Sequence, residues 1–154
     1  DKDFGLAYAK SQISAGNSLP TRGLAFISLK DKHKNEGIDL AKKLVELNFT
    51  LCGTEGTADA IKKNGIKCKK VNKVSGGSPH IVDILNAKKI ALVINTGGGK
   101  RAYRVQDSTS LRRATLINKV PYCTNMSTAY ACLEGIKSLK SKKMNVIAIQ
   151  DIFH

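Results

Sequence analysis

The chain has 154 residues, enough for one globular core, with 42% hydrophobic and 25% charged residues, the balance of an ordinary folded domain. No apolar run approaches the ~20 residues of a membrane span, and no stretch reads as a signal peptide, so a cytoplasmic setting is the default expectation. The formal charge is +14, from 26 Lys and Arg against 12 acids, which favours an anionic partner or reflects a lysine-rich solvated surface. Aromatic residues are only 5% and do not interleave with the basic ones, so a stacking platform for single-stranded nucleic acid is poorly supported. Cys52, Cys68, Cys123 and Cys132 form no CxxC pair and read as reduced structural thiols, with no metal site. The first residue is Asp1, which fits a fragment or a processed chain.

In chain order, Phe4, Leu6, Ala7, Ala9 and Ile13 fall on helical spacing, and Gly16 to Pro20 breaks the pattern. Residues 1–22 therefore read as a helix and linker, and 23–154 as the domain proper. Leu24–Leu29 is a strand-like run. Residues 35–47 form an amphipathic helix with Ile38, Ala41, Leu44 and Val45 on one face. Phe49–Cys52 is a short strand. Thr54 is placed to cap a helix running to Asn64, with Gly65 as its stop. Ile66–Val71 reads as a strand weakened by lysines, and 80–87 as a short helix. Ile90–Ile94 is almost purely apolar, as a parallel strand covered on both faces requires. Residues 108–118 read as helix, Val120–Cys123 as strand, 126–140 as helix, and Asn145–Ile149 as a last strand.

Strands alternating with helices predict an α/β fold: a three-layer, Rossmann-like, mostly parallel sheet with helices on both faces. Ligands of such sheets bind beyond the carboxyl ends of the strands. Four post-strand loops carry the polar and glycine-rich residues: Lys30–Lys34, Gly53–Thr57, Asn72–His80 and Asn95–Arg101. Glycines let backbone amides approach an anion, and a helix start after Gly53 adds free N–H donors. Lys34, Lys73 and Lys100 can neutralise a phosphate as point charges. Neither a Walker motif nor a GxGxxG turn is present. His80 reads as an acid or base, or as a structural helix-start residue. Asp83 and Asp107 read as sugar-hydroxyl acceptors or as caps.

Taken together, Gly53–Ala58, Val71-Asn72-Lys73-Val74, Pro79-His80-Ile81 and Val93-Ile94-Asn95-Thr96 resemble the methylglyoxal synthase-like domain family. Within it, Phe4–Lys10 followed by Asn17-Ser18-Leu19-Pro20 resembles the approach to the C-terminal domain of carbamoyl-phosphate synthase large subunits. The resemblance implies an allosteric domain that binds UMP as inhibitor and IMP as activator, with neither nucleic acid nor membrane as partner. It also implies contact with synthetase domains of the same chain and with a glutaminase small subunit. ATP with Mg or Mn would serve the parent enzyme, and no cofactor and no catalytic residue would lie in this domain. By the same resemblance, Lys34 and Lys73 match phosphate contacts, and Thr54, Gly56 and Thr57 hydroxyl and amide contacts. Asn95, Thr96 and Gly97 match the loop beside the ribose phosphate, with Lys100 following it, and Thr124 an ornithine-side position. Gly97 and Gly98 stand where the family carries a Thr-Ser pair, and about two residues are inserted around Tyr103–Gln106. Two rivals remain. A methylglyoxal synthase would need a carboxylate base where Ser78 follows Gly76-Gly77. A nucleic-acid binder would rest on the +14 charge alone.

Overall fold

The computed structural model describes residues 1–97, 102–146 and 148–152. Six helices and five strands follow in order: α1 Phe4–Ser14, β1 Gly23–Ser28, α2 Lys34–Glu46, β2 Phe49–Gly53, α3 Glu55–Lys63, β3 Lys69–Lys70, α4 Ile81–Asn86, β4 Ile90–Asn95, α5 Ala102–Ile117, β5 Tyr122–Cys123 and α6 Met126–Ser141. The strands form one parallel sheet in the order β3-β2-β1-β4-β5.

Alternation along the central strands explains the three layers. On β1, Ala25 and Ile27 point to one face and Phe26 to the other; on β4, Leu92 and Ile94 oppose Val93. The first face packs under α2, α3 and α6 through Leu40, Leu44, Ile61 and Ile136, together with Ala9 of α1. The second packs under α4 and α5 through Ile81, Leu85, Leu111 and Ala114. Both faces are thus dry, and each large side chain buried there contributes roughly 1.5–3 kcal/mol.

Local signals behave as their chemistry dictates. Gly65 ends α3 in the left-handed region (φ 77°), and its N–H donates to Lys62 O at 2.9 Å. α1 is capped by Asp3, whose side chain accepts from Leu6 N at 2.8 Å, and it lies against α6 with Leu6 and Ala9 buried. That contact is close because both helices offer glycine. A Cβ on Gly5 would stand 2.5 Å from Glu134 O.

Three expectations are corrected. The strand expected over Ile66–Val71 contracts to Lys69–Lys70, because Cys68 and Val71 turn inward while only the lysines face solvent along β2. α5 begins at Ala102, six residues before the expected start at 108, so residues 103–106 are helical. The last strand over Asn145–Ile149 does not form. Residues 143–146 and 148 carry no regular structure and Ile149–Ile152 is a 3-10 turn. A strand needs a neighbour, and the outermost strand on that side, β5, is two residues long.

Candidate functional site

β1 leads to β2 and β3 on one side of the sheet, whereas β4 and β5 lie on the other. The topological switch point therefore falls between β1 and β4. There the carboxyl ends of the two strands, Ser28 and Asn95, sit in register and the following loops diverge. A cleft of about 370 Å³ opens at this point, within the range of small-molecule sites. All four post-strand loops reach it. Lys30 and Asp31 come from the first, Thr54 from the second, Lys73 and Val74 from the third, and Asn95 and Gly97 from the fourth. Phe26, Ile81 and Leu111 supply an apolar wall, and Asp107 and Ser108 of α5 close one side.

The second loop brings Thr54, the N-cap of α3, to the cleft, whereas Gly56, Thr57 and Lys34 are not among its lining residues. Thr54 stands at the N-cap with extended backbone (φ −61°, ψ 153°), and its carbonyl accepts from Thr57 N and Ala58 N at 2.9 and 2.8 Å. Its hydroxyl makes no cap bond, contrary to the cap expected of it. It instead donates towards Thr57 Oγ1 at 3.3 Å, with Ser28 Oγ at 3.4 Å. The amides of Glu55 and Gly56, the first two of α3, lie outside the helical ladder and carry the positive end of its dipole. Lys34 reaches the same place from the start of α2. Its Nζ lies 3.5 Å from where a Gly56 Cβ would be, and 2.7 Å from Asp31 Oδ1. A side chain at Gly56 would touch the ammonium group, so glycine leaves the approach to these amides open.

Several hydroxyls and amides expected to face a ligand are committed to holding the loops. Thr57 is buried, and its Oγ1 accepts from Leu29 N at 3.0 Å, tying the exit of β1 to α3. Thr96, also buried, accepts from Lys30 N at 3.2 Å. Asn95 donates from Nδ2 to the Tyr122 hydroxyl at 3.0 Å and accepts from Gly97 N on Oδ1 at 3.0 Å. A Cβ at Gly97 would come within 2.7 Å of Asn95 Oδ1, so a larger residue there needs a different Asn95 rotamer.

Lys73 is exposed on the rim. Lys100 and Gly98 lie outside the described residues. Thr124 is exposed beyond the end of β5 and does not line the cleft. His80 takes the structural reading. It is the N-cap of α4, its Nδ1 accepting from Asp83 N at 3.4 Å, while Asp83 Oδ2 accepts from His80 N at 2.9 Å and Ser78 Oγ at 2.8 Å. The His80 amide first, and then the Ser78 hydroxyl, hold the Asp83 carboxyl below the ordinary carboxylate range. Asp107 accepts from Ser75 N at 3.0 Å and Ser75 Oγ at 2.8 Å, fastening the third loop to α5. Ser28 lines the cleft without having been singled out. A polar residue ending an apolar strand is the signal that marks Ser28. Among the described residues no helix is long and apolar enough to cross a membrane, and no cluster of three or more His, Cys, Asp or Glu is placed to hold a metal.

Comparison with known proteins agrees with this geometry. The sequence profile described as "MGS-like domain" matches residues 36–124. The carbamoyl phosphate synthase large chain of Mesorhizobium japonicum is 43% identical over 153 residues, covering 99% of this chain and 13% of that one. The C-terminal section of the large chain from Aquifex aeolicus is 43% identical over 100% of this chain and 29% of its own length. That of Methanopyrus kandleri is 44% identical over 99% and 28%. The chain thus spans between 13% and 29% of these relatives. The crystal structure of a methylglyoxal synthase from Elizabethkingia anophelis superposes with a TM-score of 0.56 over 88% of this chain and 91% of that one, at 16% identity, a likeness of fold. A parallel sheet with its cleft at the switch point, the profile match and the whole-chain identity to these large chains converge: the protein belongs to the MGS-like domain family.

Proposed function

We propose that the cleft at the β1–β4 switch point binds a nucleoside monophosphate of the UMP or IMP kind without transforming it. On this reading the chain is the regulatory section of a carbamoyl-phosphate synthase large subunit. One observation carries it: four loops from separate strands converge on a single cleft lined by Lys30, Lys73 and Thr54, the N-cap of α3, with Lys34 against Gly56 just beyond it. The phosphate sits over the amides of Glu55 and Gly56, between Lys34 and Lys73, where dipole and ammonium charge act together. Thr57, Thr96 and Asn95 hold the loops at the separation the ligand needs. The sugar and base lie towards Asp107, Ser108 and the apolar wall.

Occupancy then biases the packing of this domain on the synthetase portion of the same polypeptide. Coupling of the usual size, ~1–3 kcal/mol, changes substrate affinity there by about 5–150-fold. Mg or Mn, ATP and the glutaminase subunit belong to that larger cytoplasmic assembly, which makes carbamoyl phosphate for pyrimidine and arginine synthesis. Calorimetric titration of UMP, IMP and ornithine into the protein tests the reading. UMP and IMP should bind competitively, and Lys73→Ala should weaken both about tenfold or more, the worth of one charge-assisted contact. Unchanged affinity for both would remove Lys73 from the site, and absence of binding by either nucleotide would end the proposal.

A further inference from the structure

A second concavity lies at the other end of β2. The nucleotide cleft meets this strand just beyond its carboxyl end, at Thr54, whereas a groove of about 1010 Å³ opens over its first residue, Phe49. The five residues of the strand hold the two apart by roughly 16 Å, at ~3.3 Å per residue. The groove is walled by the ends of α2 and α3 and by the segment that leads into β3. Val45, 43% exposed, and half-buried Ile66 present apolar surface to it, with Phe49 buried beneath.

Four exposed lysines ring this apolar strip: Lys42 from α2, Lys62 from α3, and Lys67 and Lys69 on the approach to and along β3. Glu46 is the acid that lines it with them. The adjacent Lys43 and Lys70 are neutralised, by Asp39 at 2.9 Å and Asp59 at 2.9 Å. Among the described residues none of the four ring lysines makes an ion pair. Lys62 stands in the last turn of α3, where an ammonium group offsets the helix dipole, but Lys42, Lys67 and Lys69 have no such use. Like charges gathered around one hollow repel each other, and a bound anion relieves that repulsion.

We propose that this groove docks an acidic segment of a separate polypeptide, an extended stretch in which one or two apolar side chains lie between Asp or Glu residues. The apolar side chains rest on Val45 and Ile66. The carboxylates on one side meet Lys42 and Lys62 of the helices, and those on the other meet Lys67 and Lys69. Charge and shape together select this occupant. A second copy of the chain brings another +14 and is repelled. A nucleic-acid backbone answers the lysines but leaves the apolar strip unfilled, and a flat anionic membrane does not enter a hollow. A groove at the upper end of the ~300–1,000 Å³ range of small-molecule sites has room for a chain segment, whose alternate side chains face the same wall.

The test uses the full-length protein and a fluorescent peptide, Asp-Glu-Asp-Leu-Phe-Glu-Asp-Glu, with an all-glutamate peptide of the same length and a short DNA duplex as comparisons. The peptide should bind saturably, more weakly as salt is raised, and at least tenfold more tightly than either comparison. Reversing the charge of one wall with Lys67→Glu and Lys69→Glu together should weaken it at least tenfold, and Val45→Ser should weaken it while sparing the small affinity of the all-glutamate peptide. These positions are exposed, where substitution costs little stability, so the loss reads the surface and not unfolding. UMP should not displace the peptide. Absence of saturable binding, including through a groove already covered within the full-length chain, overturns the proposal. Equal affinity for the duplex or the all-glutamate peptide, indifference to the charge reversal, or displacement by UMP overturns it as well.

Discussion

Replacing Thr57 by Val separates two roles for one hydroxyl. The side chain is 2% exposed and nearly isosteric with Val, so the change opens no cavity. It removes the acceptor that Leu29 N uses at 3.0 Å, while the Thr54 hydroxyl, 3.3 Å away, retains Ser28 Oγ at 3.4 Å. The unmatched group is therefore one half-buried backbone N–H, and leaving such a donor unsatisfied costs about 1–3 kcal/mol. For a domain of this size each kcal/mol lowers Tm by about 2–4 °C, so the expected fall is roughly 2–12 °C. Calorimetry or circular dichroism measures it, and exchange of the Leu29 amide should accelerate in parallel. If Tm stays within about 1 °C while nucleotide affinity collapses, the hydroxyl acts on the ligand directly and its role as a tie is refuted.

Gly5→Ala should lower Tm, although Ala ordinarily stabilises a helix by about 0.5–1 kcal/mol. The new Cβ would stand 2.2 Å from Ser138 Oγ and 2.5 Å from Glu134 O, and overpacking of this kind costs ~1–3 kcal/mol. A higher Tm would show that α1 can ride away from α6 freely. The Lys142 ammonium foremost, then the Leu6 amide and the Ser138 hydroxyl, hold the Asp3 carboxyl down at about 2, against an ordinary 3.8. A lowered folded-state pKa stabilises above the ordinary value and loses its effect as pH falls through the folded one. The stability gap between wild type and Asp3→Asn should thus be constant near neutrality and close between about pH 4 and 2; a gap that persists at pH 2 contradicts the clasp. Burial raises the Cys52 thiol to about 12 and Cys68 to about 11, and Cys123 is raised first by its bond to Cys132 and then by burial. That same contact lowers Cys132, which stays shut in the core. All four thiols should resist Ellman's reagent at pH 8 in the native protein and react once it is denatured, whereas rapid native reaction would place at least one outside the core.

Much of the architecture is legible in the residues themselves. Runs such as Ile90–Ile94 declare a doubly covered strand, and Gly65 marks the end of α3; of the face expected on α2, Ala41 and Leu44 are buried, but Val45 is exposed and Leu40 enters the core instead. Those signals are local, set by side-chain period and backbone freedom. β3 is less legible because its lysines mask a strand whose flanks, Cys68 and Val71, carry the burial. The expected last strand has the right composition but no neighbour among the described residues, and composition does not supply a partner. The cleft follows from topology, so its four loops could be named in advance. The use of each polar group could not. Thr57 meets Leu29 N across 28 positions, and Thr96 meets Lys30 N across 66, pairings that exist only once β1 lies between β2 and β4.

The central claim is that a mononucleotide phosphate rests on the open start of α3. Titrating UMP into the isotope-labelled protein and following backbone amide resonances tests it most directly. The largest shifts should fall on Glu55 and Gly56, with Lys30, Lys73 and Gly97 following at the same midpoint. Shifts centred instead on the opposite end of the sheet, around Ile66 to Lys69, or no saturable shift at all, would contradict it.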